Sequence, residues 1–80
     1  MAAEFAGIEA RPEVCGGAAC IARTRIPVWV LEQARRLGTS EQELLAAYPA
    51  LWAEDLANAW AYARAHGAEM EEQIRRNEGA

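Results

Sequence analysis

Lysine is absent from this chain, and all eight of its basic residues are arginine. Alanine is very frequent, and the two biases together are what a GC-rich coding sequence produces, so no function is attached to them. Thiols and imidazoles are scarce. Cys15 and Cys20 stand far from the single histidine, His66, and two thiols without a second ligand pair leave metal coordination incomplete. Catalytic groups are missing in the same way. Ser40 and His66 have no plausible partner nearby in sequence, which removes the nucleophile and base pairs of covalent catalysis. The expectation is a binding protein rather than an enzyme, with no cofactor and no metal. No stretch approaches the roughly 20 apolar residues of a spanning helix. Met1-Ala2-Ala3-Glu4-Phe5 lacks the cationic start and long apolar run of a secretory leader. A cytoplasmic location is expected, without membrane contact, where Cys15 and Cys20 stay reduced as small buried side chains. Facing each other across a short loop, they are also placed to be bridged under oxidation.

What is present suits one small domain. Eighty residues bury roughly 60 to 65% of the unfolded surface, so self-association would help. Trp29, Trp52 and Trp60 are large anchors for either a core or a subunit interface. The net charge of −4 is unevenly distributed: residues 1–39 hold five arginines against four glutamates, and residues 40–80 hold three against eight acids. Only the first half is a candidate for phosphate contact, while the second suits a basic partner.

Residues 1–7 have no period and read as a flexible lead-in. Between Gly7 and Ile21 two short strands flank Gly16-Gly17, with Pro12 tolerated on an edge. Such an edge invites pairing with a second copy, one route to a homodimer. Pro27 fits the first turn of a helix that carries Val30, Leu31, Ala34 and Leu37 and stops at Gly38. Ser40-Glu41-Gln42-Glu43 is a capping box opening a short helix with Leu44, Leu45 and Tyr48, ended by Pro49. Leu56, Ala59, Trp60 and Ala63 share one face of a longer helix that ends near His66-Gly67. From Ala68 to Asn77 a further helix has Met70 and Ile74 on one side, an apolar face so thin that ordering against a partner is expected. The fold class is therefore mainly α: an N-terminal β-hairpin, three helices and a C-terminal helical tail, with the domain at residues 8–66 and an acidic tail at 67–80.

Tight connections at Gly38-Thr39 and Pro49-Ala50 give the three helices the layout of a helix-turn-helix unit, which is also the layout of any small bundle. The exposed face of the third helix offers Glu54, Asp55, Asn58, Tyr62 and Arg64. Asn58 and Arg64 have base-reading chemistry, but the two carboxylates repel phosphate. Arg23, Arg25, Arg35 and Arg36, doubled by dimer symmetry, make the better electrostatic footprint for DNA, with an ordinary solvated face as the alternative.

Four runs in fixed order carry a family resemblance: Arg11-Pro12-Glu13-Val14-Cys15-Gly16-Gly17, Thr24-Arg25-Ile26-Pro27-Val28, Glu43-Leu44-Leu45 with Tyr48-Pro49-Ala50-Leu51, and Glu54-Asp55-Leu56 through Ala59-Trp60-Ala61-Tyr62-Ala63. Over about residues 8 to 66 the chain resembles the domain-of-unknown-function family 433. It departs from the usual pattern at Ala18-Ala19, where a proline commonly follows the glycines, and at Arg23, where a glycine commonly precedes Thr-Arg. The resemblance implies a homeodomain-like helix-turn-helix behind a small β element. It also implies a VapB-type antitoxin of a type II toxin-antitoxin pair, neutralising a PIN-like ribonuclease toxin and autoregulating by binding operator DNA. A ribonuclease carries a basic RNA-binding surface, which the acidic segment of Glu69, Met70, Glu71, Glu72 and Ile74 would cover. Arg25 is expected first to bond carbonyls where strand meets helix. The alternative reading is a small dimeric protein-interaction module that binds no DNA, which the sequence pI of about 4.9 favours.

Overall fold

The computed structural model describes residues 7–10 and 18–78. The Gly16-Gly17 turn, Pro12, Cys15 and most of the lead-in lie outside the described residues. A two-stranded antiparallel sheet pairs β1 (Ile8–Glu9) with β2 (Cys20–Ile21), in the register Ile8 to Ile21 and Glu9 to Cys20. Four helices follow: α1 (Val28–Arg36), α2 (Glu41–Ala47), α3 (Ala53–Ala65) and α4 (Gly67–Glu78).

The sheet is short because the chain doubles back at once. Ile21 donates its N–H to the Ile26 carbonyl at 2.9 Å and accepts from the Thr24 and Arg25 N–H groups at 3.1 and 2.6 Å, closing a tight turn. Arg25 takes that turn with φ of 61°, left-handed backbone that a side chain seldom adopts. The turn brings Pro27 against Cys20 and lets Val28 donate to the Ala19 carbonyl at 2.9 Å. Pro27 sits one place earlier than expected, as the N-cap of α1 rather than inside its first turn.

Helix ends follow local rules. At the end of α1, Thr39 donates to the Ala34 carbonyl and Gly38 to that of Arg35, both at 3.0 Å. This is a Schellman motif with Gly38 at φ of 97°. Ser40 and Glu43 complete the capping box, with the Glu43 N–H on Ser40 Oγ at 3.1 Å and the Ser40 N–H on Glu43 Oε1 at 2.8 Å.

One core joins the sheet to the helices: Ile8 and Ile21 from the strands, Val28 and Leu31 from α1, Leu44 from α2, Leu56, Ala59 and Ala63 from α3, and Met70 from α4. The last of these corrects the sequence reading. Met70 is fully buried and Ile74 is 8% exposed, because α4 packs on α1 and α3 of its own chain. Two apolar residues suffice for ordering when the neighbouring helices supply the rest of the contact. The described residues thus hold four packed helices instead of three and a tail. The three tryptophans also part company: Trp29 and Trp60 pack against the core, while Trp52 is 58% exposed.

Candidate functional site

Two buried carboxylates organise three of the five arginines that the sequence offered for DNA. Glu32, on α1, has a side chain only 4% exposed. Arg35, one turn on, donates to it twice, Nε to Oε1 at 2.9 Å and Nη2 to Oε2 at 2.7 Å, and Arg36 Nε adds a third bond at 2.8 Å. Burial pushes the Glu32 carboxyl up, but the hydrogen bonds and charges of Arg35 and Arg36 outweigh it and hold it below the ordinary 4.5. Arg36 also reaches Glu71 of α4 at 3.6 Å.

Asp55 is the second. It accepts from the Trp52 N–H at 2.8 Å, capping α3, and pairs with Arg23 from the turn after β2. The Arg23 guanidinium in turn lies 3.8 Å over the Trp52 ring, a cation–π stack. Asp55 is therefore buried rather than displayed on the outside of α3, and it fixes an exposed indole in one orientation.

Between α1, α2 and α3 an open cleft of about 330 Å³ is lined by Glu32, Arg35, Glu41, Trp60, Ala63 and Arg64. Trp60 donates its indole N–H to Glu41 at 2.8 Å, and the Arg35 guanidinium lies 5.7 Å over its ring. Arg64 is exposed and makes no ion pair or hydrogen bond among the described residues.

The remaining candidates are scattered. Asn58 turns toward β1, its Nδ2 where a side chain on Gly7 would reach within 3.0 Å, so it is not on the outer face of α3. Tyr62 donates to both oxygens of Glu69 at 2.9 and 3.0 Å and stacks on His66 at 4.1 Å between ring centres. Glu72 pairs with Arg76 at 3.0 Å. Of the five residues expected to meet a partner through α4, Met70 and Ile74 are in the core, and Glu69 and Glu72 are held by neighbours. What faces outward along α3 is Ala53, Glu54, Ala57, Arg64 and Ala65, three methyl groups and one acid with Arg64 as the single base-reading side chain. Sequence reasoning passed over Glu32 and offered Trp52 only as one of three equivalent anchors. A glutamate followed three and four places on by arginines was a legible signal for the first, whereas nothing local distinguishes Trp52 from the other two indoles.

The profile of the family described as a protein of unknown function, DUF433, matches residues 8–63. The chain belongs to DUF433. The crystal structure of a DUF433 member from Anabaena variabilis ATCC 29413 is similar to it, with a TM-score of 0.82 and 46% identity over 86% of this chain and 68% of that one. No curated protein matches the chain. The DUF433 match takes in both carboxylate centres and ends just inside the last turn of α3, so α4 lies beyond it.

Proposed function

We propose that this DUF433 chain is a protein-binding module that serves as the antitoxin of a type II toxin-antitoxin pair, covering the basic RNA-binding surface of a PIN-like ribonuclease. The observation that carries a protein-directed reading is the internal neutralisation of Arg23, Arg35 and Arg36 by Asp55 and Glu32. Guanidiniums whose charge is already balanced by carboxylates attract phosphate less and release fewer counterions on meeting it, so the footprint expected for DNA is weakened. Beside the Arg23–Asp55 pair, Trp52 and the acid Glu54 are left outside. Trp52, held by its Arg23 stack and followed by Glu54, has the character of a preorganised anchor for a basic protein surface.

Calorimetric titration against a PIN-like ribonuclease encoded beside this chain tests the reading. Binding that weakens at least about tenfold in Trp52→Ala, the loss typical of an interface anchor, with helicity unchanged, supports it. A ribonuclease that neither binds nor loses activity removes it. Operator binding is a second reading, favoured by Arg64, which has no carboxylate partner among the described residues. Doubled in a dimer, it would give a log–log salt slope of about −2 in a gel-shift titration on the protein's own upstream DNA.

A further inference from the structure

We propose that the groove between the C-terminal end of α1 and α4 is the interface of a two-fold dimer of this chain, formed by antiparallel pairing of α4 with the α4 of a second copy. This inference is independent of the antitoxin reading. The groove, about 290 Å³, is lined by Gln33, Arg36, Leu37, Ile74 and three charged residues of α4, namely Glu71, Arg75 and Glu78. Leu37 is 79% exposed. The Schellman turn holds it at the rim, outside the core that α1 makes with its neighbours, and Ile74 lies beside it. An isologous contact would seat each Leu37 in the other subunit's groove.

The charges choose the occupant. Glu71, Arg75 and Glu78 alternate in sign at the spacing of one helix face, and neither Arg75 nor Glu78 has an ion-pair or hydrogen-bond partner among the described residues. A uniformly basic partner would meet Arg36 and Arg75, and a uniformly acidic one Glu71 and Glu78. A copy of the same helix running the other way, with the axis near Gln73, sets each Glu71 against the second copy's Arg75. That gives each Arg75 a carboxylate, which it shares with the Arg36 already 3.6 Å from Glu71, leaves Glu78 at the outer end, and covers the leucine. The surface differs from the strand edge that the sequence suggested for self-pairing.

Sedimentation of the full chain, with circular dichroism as a check on folding, decides the matter. The expected species has twice the 8.8 kDa chain mass, and its dissociation constant rises at least about tenfold in Leu37→Glu and in Arg75→Glu. Glu71→Arg alone is expected to be monomeric as well, but an equimolar mixture of the Glu71→Arg and Arg75→Glu chains re-forms dimers, because each then carries the complement of the other. A wild-type chain that stays monomeric overturns the proposal. So does a dimer indifferent to Leu37→Glu and Arg75→Glu, or a mixture that fails to re-form while both variants remain folded.

Discussion

Glu32 and Asp55 are both buried acids, 3% and 6% exposed, yet they are satisfied in opposite ways. Glu32 draws its cations from its own helix, three and four residues along, and gathers two guanidiniums that otherwise lie on the surface. Asp55 takes one cation from a turn 32 residues earlier and spends its other capacity on the backbone of its own helix start. The first arrangement is local and redundant. The second is a tie between the β element and α3, and it leaves an aromatic side chain poised outside. Placing a carboxylate in the interior costs free energy unless cations and donors repay it; where the cation comes from decides whether the centre stabilises a helix or couples two parts of the fold.

The comparison breaks hardest when Glu32 loses both partners. Arg35→Ala with Arg36→Ala leaves a buried carboxylate without a cation, and chemical denaturation is expected to show a loss of about 3 kcal/mol, much of it recovered by adding Glu32→Gln. Next is Asp55→Ala, which removes the α3 cap as well as the ion pair and should cost about 2 kcal/mol, with Asp55→Asn retaining the cap and part of the stability. Arg23→Ala is expected to cost less, about 1 kcal/mol, since Arg23 is 41% exposed and the Trp52 N–H still bonds Asp55. Its larger effect is on Trp52 fluorescence, as the stacked cation departs. The smallest effect is on the pH dependence of stability. Glu32 lies below 4.5 in the folded chain, so its contribution is complete above the unfolded value and drains away as pH falls through the folded one. Unfolding midpoints should hold steady down to about pH 5 and fall below it, less steeply in Glu32→Gln. Glu43, lowered by the Ser40 backbone N–H, contributes in the same direction and keeps some slope in that variant.

Much of the fold was legible. The capping box at Ser40, the Gly38 stop, the Pro49 break and the apolar faces of α1 and α3 each depend on residues within one or two turns, so chain order alone exposes them. The α4 segment was legible as a helix but not as part of the core, because Met70 and Ile74 look insufficient until α1 and α3 are set beside them. The arginines were the reverse case. Read singly, Arg23, Arg35 and Arg36 are a basic footprint, and only with Glu32 and Asp55 in place do they become counter-ions.

The acidic balance is composition, and helix positions, helix ends and the Glu32 cluster were likewise determined by the sequence itself, since each arises from neighbours no more than five places apart and needs no long loop closed to form. Tertiary structure alone decided that Arg23 finds Asp55, that Trp52 rather than Trp29 or Trp60 stays outside, that Asn58 turns inward to Gly7, and that α4 docks on its own chain. Those outcomes depend on distant segments competing for the same buried space, and burial is a property of the packed whole that no short window of residues contains.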